Sequence, residues 1–96
     1  MRLKNKTAIV TGGASGFGKG IVEKFIKEGA KVVIADIDYD SAKKLEDLIG
    51  SNAFAIKVDV SKKNEVDDMI SQSVKHFSEI HILVQNAAIG MKPQPL

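Results

Sequence analysis

Four short apolar runs alternate with three amphipathic segments along this chain, and this alternation constrains the fold more than any other feature. The apolar runs have the length of buried strands, whereas the segments between them repeat apolar residues every three or four positions, as helices do. We predict strands at 7–10, 31–36, 53–59 and 80–84, and helices at 19–28, 41–49 and 62–77. Because such a succession requires parallel strands joined by right-handed crossovers, the predicted fold is α/β with a doubly wound parallel sheet.

Glycine and serine residues mark the predicted helix ends. Gly29 and Gly50 follow the first two helices as C-terminal stops, and Ser61 is predicted to cap the start of the third helix. Residues 85–96, which contain both prolines, are predicted to be loop. The apolar faces predicted to turn inward comprise Ile21, Val22, Phe25 and Ile26 in the first helix, Leu45, Leu48 and Ile49 in the second, and Val66, Met69, Ile70, Val74 and Phe77 in the third.

A glycine-rich stretch, residues 11–18, lies between the first predicted strand and the first predicted helix. Glycines have no Cβ, so backbone N–H groups can approach a phosphate closely, and the helix dipole directs positive charge to the same place. The stretch therefore predicts a site for a phosphate-bearing cofactor at Gly12, Gly16 and Gly18. The phosphate-loop pattern of ATPases requires Ser or Thr where this chain has Gly20, and the spacing also differs from Gly-x-Gly-x-x-Gly.

Asp36 ends the second predicted strand, eighteen residues beyond Gly18. A carboxylate here can accept hydrogen bonds from an adenosine ribose, although a lone aspartate can also merely end a strand. The glycine turn at this distance favours the ribose interpretation. Asp36 would repel a 2′-phosphate by roughly 1–3 kcal/mol after screening, and neither Ser15 nor Ile37 offers a compensating positive charge. We therefore predict that NAD(H) is bound in preference to NADP(H).

The chain resembles the classical short-chain dehydrogenase/reductase family along essentially its whole length. The family's glycine pattern, Thr-Gly-x-x-x-Gly-x-Gly, is met by Thr11, Gly12, Gly16 and Gly18, and Phe17 stands where isoleucine is usual. The resemblance implies a Rossmann-type sheet, with Phe17 beside the cofactor. It also implies an NAD(H)-dependent enzyme that transfers hydride between an alcohol and a ketone.

The resemblance extends to the ends of the third and fourth strands. The family's adenine-contacting Asp-Val matches Asp59 and Val60, and its Asn-Asn-Ala-Gly is present as Gln-Asn-Ala-Ala at 85–88. Asn86, which lines the cofactor in the family, is kept; alternatively, Asp59 could begin a helix and Asn86 could form a turn. All lie at carboxyl ends of parallel strands, where open α/β sheets bind ligands. The predicted cofactor-binding residues are Gly12, Ser15, Gly16, Phe17, Gly18, Asp36, Ile37, Asp59, Val60, Asn86, Ala87 and Ala88.

The family's catalytic groups, a Ser and a Tyr-x-x-x-Lys pair, are expected beyond residue 96. We therefore assign no catalytic residue here and expect residues 1–96 to be the N-terminal part of one NAD(P)-binding domain, inactive alone. Tyr39 and Lys43 have the Tyr-x-x-x-Lys spacing, but they follow the second strand at the adenosine end, so Tyr39 is predicted to be a partly exposed helix-start residue. Two alternatives are a non-catalytic dinucleotide-binding module and a truncated interaction protein whose fourth strand pairs with another chain.

Composition argues against several other classes of function. The net charge is only +2, with lysines spread among acids, which does not predict a nucleic-acid surface. The N-terminal apolar run is too short for a signal peptide or membrane span, and the chain has no cysteine, so a cytoplasmic protein is expected. His76 and His81 are predicted to be solvated or capping residues, with no metal site. A small-molecule substrate and a homo-oligomer, dimer or tetramer, are implied by the resemblance alone.

Overall fold

The structure, a computed structural model, describes residues 2–86 of the 96-residue chain. Its strands and helices alternate in the order β1 Thr7–Thr11, α1 Gly16–Lys27, β2 Lys31–Asp36, α2 Tyr39–Ile49, β3 Ala53–Lys57, α3 Lys63–Phe77 and β4 Ile82–Gln85. The strands form one parallel sheet in the order β3-β2-β1-β4. The α/β class and the parallel sheet predicted from the sequence are confirmed.

The central strand β1 lies between β2 and β4. Thr11 is level with Ala35 of β2 and Gln85 of β4, so the carboxyl ends of the three strands meet at one edge of the sheet. The chain moves outward from β1 through β2 to β3 and then returns to the other side of β1 to form β4. Open α/β sheets bind their ligands at such a reversal of strand order, beyond the carboxyl ends of the strands.

Alternate residues of the strands pack into two apolar cores on opposite faces of the sheet. Helices α1 and α2 cover the face that buries Val10 and Ile34, and α3 covers the face that buries Ile9 and Val33. Strand β2 is therefore buried on both faces, which explains its continuous apolar run at 32–35. The two cores hold the sheet edge rigidly between helix layers, so the loops at that edge have a fixed frame.

The start of α3 differs from the prediction. The helix begins at Lys63 with Lys62 as its N-cap, so the predicted capping role of Ser61 is wrong. Ser61 instead donates its N–H and its hydroxyl to Oδ1 of Asp59, at 3.0 Å and 2.6 Å. A local hydrogen bond to an aspartate two residues earlier competes with helix capping for the serine hydroxyl. Here the hydroxyl of Ser61 is bound to Asp59 and is not available as a cap.

Three apolar helix residues predicted to turn inward are substantially exposed: Leu48 by 82%, Ile70 by 40% and Val74 by 42%. Helices α2 and α3 face the sheet through Leu45 and Met69, both buried. Leu48 lies three positions beyond Leu45, Ile70 one beyond Met69, and Val74 one beyond the buried Ser73. At about 100° per residue, these steps turn the three side chains by about 60°, 100° and 100° from positions that face the sheet.

Most element bounds agree with the prediction to within three residues. Helix α1 starts three residues earlier than predicted, α2 starts two earlier, β3 ends two earlier, and β4 is Ile82–Gln85 rather than 80–84. The first residue of the predicted loop at 85–96 therefore belongs to β4, and positions 87–96 fall outside the described residues.

Of the helices within residues 2–86, none is long and apolar enough to cross a bilayer.

Candidate cofactor-binding site

The connection between β1 and α1 is a tight glycine turn at the carboxyl edge of the sheet. Gly12 and Gly16 have φ angles of 66° and 56°, in the left-handed region that favours glycine. A Cβ on Gly18 would overlap the carbonyl oxygen of Gly12, and it would stand 2.6 Å from the carbonyl carbon and 2.8 Å from Nδ2 of Asn86. Gly18 thus lets the first turn of α1 lie directly against the loop before it and the end of β4.

Gly13 is a second close contact, which the predicted glycine pattern did not include. A Cβ on Gly13 would lie 3.0 Å from the carbonyl oxygen of Val10, 3.2 Å from Cγ2 of Val22 and 3.3 Å from Cγ2 of Ile34. A side chain here would push α1 away from the sheet. The adjacent glycine pair in the sequence was the available signal for this packing.

The first turn of α1 carries positive partial charge that no side chain of residues 2–86 caps. Ser15 is the N-cap and has an extended backbone, with φ −154° and ψ 165°, but its side chain makes no capping hydrogen bond within the described part of the chain. The first turn also contains no acidic residue. Since the first N–H groups of a helix have no intrahelical acceptor, this turn offers its donors to an anion such as phosphate.

Asp36 joins the glycine turn to the end of β2. Its Oδ2 accepts the N–H of Ala14 at 3.0 Å, and its Oδ1 accepts the N–H of Asp38 at 2.9 Å. A carboxylate offers about four lone-pair positions, so these two bonds leave acceptor capacity for hydroxyl groups of a ligand. The part played by Ala14 could not be predicted, because a backbone N–H carries no residue-type signal.

A cleft of about 130 Å³ opens at the ends of β1, β2 and β3. Pockets for whole drug-sized ligands measure roughly 300–1,000 Å³, so this cleft fits one portion of a dinucleotide, such as its adenosine. Five of the predicted cofactor-binding residues meet here, together with two strand-end residues that the sequence prediction missed. The cleft is lined by Gly12, Ala35, Asp36, Ile37, Val58, Asp59 and Val60.

Asp59 is held by hydrogen bonds to both its side chain and its backbone. The hydroxyl and then the N–H of Ser61 hold the pKa of the Asp59 carboxyl below its ordinary value, so this group is charged at neutral pH. The N–H of Asp59 donates to Oε1 of Glu65 at 2.9 Å. Helix α3 begins at Lys63 and the acid in its first turn is Glu65, so the structure does not give Asp59 the helix-start role that the sequence left open; Asp59 lines the cleft.

Asn86 ties the glycine turn to β4 across the switch point. Its N–H donates to Oγ1 of Thr11 at 3.0 Å, and its Nδ2 donates to the carbonyl oxygen of Gly12 at 3.3 Å. The Thr11 hydroxyl in turn donates to the carbonyl of Val84 at 3.3 Å. The predicted residues Ala87 and Ala88 lie outside the described residues, and their contact with a cofactor stays a prediction.

Other residues singled out by the sequence differ in exposure and contacts, and the predicted contact of Phe17 and Ile37 with a cofactor stays a prediction. Phe17 and Ile37 are exposed by 88% and 62%, so both can contact a bound molecule. Tyr39 is the first residue of α2 and is 41% exposed, as predicted. His76 stacks on a neighbouring aromatic ring, and Nδ1 of His81 accepts a backbone N–H.

Comparison with known proteins agrees with this geometry. The family model of the short chain dehydrogenases matches residues 6–96. Galactitol 2-dehydrogenase of Agrobacterium fabrum is 46% identical over 89 residues, and sorbitol dehydrogenase of Cereibacter sphaeroides is 40% identical over 89 residues. Each alignment covers 93% of this chain but 35% of the relative, so the chain spans about a third of the length of these curated relatives.

A solved structure gives the same picture of the fold. The 3-ketoacyl-(acyl-carrier-protein) reductase of Brucella melitensis, in complex with NADH, superposes with a TM-score of 0.89 at 44% identity. The match covers 96% of this chain and 38% of the reductase, which confirms the Rossmann-type α/β fold. Because the family model matches nearly the whole chain, the predicted resemblance is also confirmed: the chain belongs to the short chain dehydrogenase family.

Proposed function

We propose that residues 1–96 form the N-terminal, cofactor-binding part of a single Rossmann-type domain. The natural protein that contains them is an oxidoreductase that transfers hydride between NAD(H) and a small alcohol or carbonyl compound. The observation that carries this proposal is the uncapped glycine turn of α1, which Asp36 ties to the adenosine-sized cleft. Relatives named for galactitol, sorbitol and 3-ketoacyl substrates support an alcohol or carbonyl substrate.

In this proposal each part of the cofactor has its own partners on the chain. Backbone N–H groups at the start of α1, from Ser15 to Gly18, hold the diphosphate, because those donors have no side-chain cap within residues 2–86. The free acceptor capacity of Asp36 takes the ribose hydroxyls, and the cleft beside Ile37 and Val60 takes the adenine. When bound, the cofactor supplies or accepts the hydride.

The groups that move the proton are proposed to lie beyond residue 96. Tyr39 begins α2 at the adenosine side of the sheet edge, so it does not serve as the proton donor. Residues 1–96 alone therefore bind the cofactor without turning over a substrate. A cytoplasmic location is part of the proposal and is supported by the absence of cysteine. A homo-oligomer is also part of the proposal and is supported by the family resemblance alone.

Cofactor preference tests the role of Asp36. In the natural gene product that carries residues 1–96, we expect NADH to bind about 10- to 100-fold more tightly than NADPH, because Asp36 repels a 2′-phosphate. Asp36→Asn removes the charge and should reduce this preference by about tenfold or more. Titration followed by fluorescence quenching or by calorimetry gives the dissociation constants of NADH and NADPH. Asp47→Asn, an exposed carboxylate in the last turn of α2, is the matched control and should keep the wild-type preference.

Two results would count against the proposal. Equal affinity of the wild-type protein for NADH and NADPH would show that Asp36 does not face the ribose. If a folded protein bound neither cofactor, the proposal of a dinucleotide site would be wrong.

A further inference from the structure

Glu65 lies in the first turn of α3, yet it does not serve the start of its own helix. In a capping box, a glutamate at the third helical position accepts the N–H of the N-cap residue. Here the N-cap is Lys62, and its N–H donates to the carbonyl oxygen of Asp59 at 3.0 Å. Oε1 of Glu65 instead reaches six residues back and accepts the N–H of Asp59 at 2.9 Å.

The loop that Glu65 contacts, residues 58–61, is held by side-chain packing and by hydrogen bonds: Val58 is buried in the core that α3 covers, and Val60 packs against that core. The N–H of Val58 donates to the carbonyl of Asp36 at 3.1 Å, which fixes the point where the chain leaves β3. The Asp59 carboxylate is engaged by Ser61, which belongs to the same loop, so this pair cannot anchor the loop to a neighbouring element. Two hydrogen bonds tie Asp59 to the start of α3: its carbonyl oxygen accepts the N–H of Lys62, and its N–H donates to Glu65, which is the side-chain contact of the two.

This loop forms much of the cleft wall. Val58, Asp59 and Val60 supply three of the seven residues that line the cleft. The side chain of Glu65 is itself absent from that lining, and it is 35% exposed. Its second carboxylate oxygen, Oε2, lies 3.7 Å from Nζ of Lys62, while Oε1 accepts the N–H of Asp59.

We propose that Glu65 is a positioning residue that fixes the Asp59–Val60 wall of the adenosine cleft without touching the ligand. The inference rests on the proposed function of the cleft as a nucleotide site. Through this hydrogen bond, Glu65 links helix α3, which packs on one face of the sheet, to a loop at the carboxyl edge. Removing its hydrogen bond frees the wall, so a ligand must order the loop on binding and loses affinity.

Two probes separate the adenosine end from the diphosphate end of the site. ADP and inorganic pyrophosphate both offer a diphosphate to α1, but only ADP carries an adenosine for the cleft. In the natural gene product, Glu65→Ala should raise the dissociation constant of ADP about five- to tenfold, as the loss of one charge-assisted hydrogen bond predicts. The dissociation constant of pyrophosphate should stay at its wild-type value. A general loss of structure would weaken the binding of ADP and of pyrophosphate alike.

Further variants separate the hydrogen bond from the charge. Glu65→Asp keeps the charge but is one methylene too short to reach the N–H, so it should bind ADP as weakly as Glu65→Ala. Glu65→Gln keeps an acceptor oxygen without the charge, so it should lose less ADP affinity than Glu65→Ala. Asp67→Ala is the matched control, because Asp67 is an exposed α3 carboxylate that pairs with Lys63 at 2.8 Å and lies away from the cleft.

The outcomes distinguish the positioning role from the site itself. An unchanged ADP dissociation constant in a folded Glu65→Ala protein overturns the positioning role while leaving the nucleotide site intact. Equal weakening of ADP and pyrophosphate also overturns it. If the wild-type protein binds neither ADP nor NAD, the proposed function of the cleft fails, and the positioning role fails with it.

Discussion

Helices α1 and α2 both start at the carboxyl edge of the same sheet, but their first turns differ in charge. At α2, Asp38 is the N-cap and its Oδ1 accepts the N–H of Ser41 at 3.1 Å, and Asp40 adds a second carboxylate in the first turn. At α1, the N-cap is Ser15, which makes no capping hydrogen bond within residues 2–86, and the first turn contains no acid. The two helix starts therefore have opposite electrostatic character, and their N-caps also differ in backbone conformation, because Ser15 is extended whereas Asp38 has φ −87° and ψ 84°.

The difference shows how a fold separates stability from ligand binding. A carboxylate at a helix start satisfies the free N–H groups and stabilises the helix by about 1 kcal/mol. The same carboxylate would repel a phosphate. Leaving α1 without one sacrifices that stability and keeps the donors available, whereas α2 and its Asp38–Ser41 pair serve the fold.

The largest expected effect comes from closing the glycine turn of α1. In Gly18→Ala the new Cβ collides with the Gly12 carbonyl and with Asn86, so the turn must move. Strain of this kind costs about 1–3 kcal/mol, and we expect NADH affinity to fall by about 100-fold. Gly20→Ala is the control, because a Cβ at Gly20 would have no described atom within 4 Å apart from its chain neighbours and the backbone of its own helix. It should leave affinity unchanged and, by helix propensity, raise unfolding free energy by about 1 kcal/mol. Equal affinity of the two variants for NADH would show that the close approach at Gly18 is not needed for binding.

A smaller effect is expected from giving α1 the carboxylate that α2 already has. Ser15→Asp supplies a charged cap in an extended N-cap backbone, so the melting temperature should rise while NADH affinity falls about tenfold. Ser15→Asn supplies a cap without the charge and should lose less affinity than Ser15→Asp. Thermal unfolding and NADH titration on the same samples give both quantities. A rise in both stability and affinity would break the comparison between the two helix starts.

The smallest effect on binding is expected at α2. Asp38→Ala removes the side chain that accepts the N–H of Ser41, while the backbone N–H that Asp36 holds is kept. The free energy of unfolding should decrease by about 0.5–2 kcal/mol, measured by urea denaturation. NADH affinity should not change. A tenfold loss of affinity without a loss of stability would mean that α2, rather than α1, contacts the cofactor.

The sequence predicts those parts of the site where chemistry restricts the residue type. Gly12 and Gly16 adopt positive φ angles, and Gly18 touches backbone, so each position requires glycine and the pattern reveals them. The carboxylate of Asp36 is visible for a similar reason, because it must follow a strand at a fixed distance from the turn. Whether these residues bind a cofactor stays a prediction.

Other parts could not be predicted because their partners depend on three-dimensional approach. The N–H of Ala14 meets Asp36 only after β1 and β2 pair, and any residue type would supply it. Serine is a favoured residue type for a helix cap, but the carboxylate of Asp59 also binds the Ser61 hydroxyl. Residue propensity alone does not say whether capping or the bond to Asp59 is preferred. The reach of Glu65 to Asp59 likewise departs from the usual capping spacing, so no sequence rule identifies it.

The most direct test of the central claim is a two-dimensional amide NMR titration of the ¹⁵N-labelled natural protein with pyrophosphate and then with ADP. We expect pyrophosphate to shift the amide signals of residues 15–18 saturably and to leave those of residues 39–41 unchanged. ADP should shift the same turn and, in addition, Ile37 and Val60 on the cleft wall. Saturable shifts centred on 39–41, or none at 15–18, would contradict the claim that the uncapped start of α1 is the phosphate site.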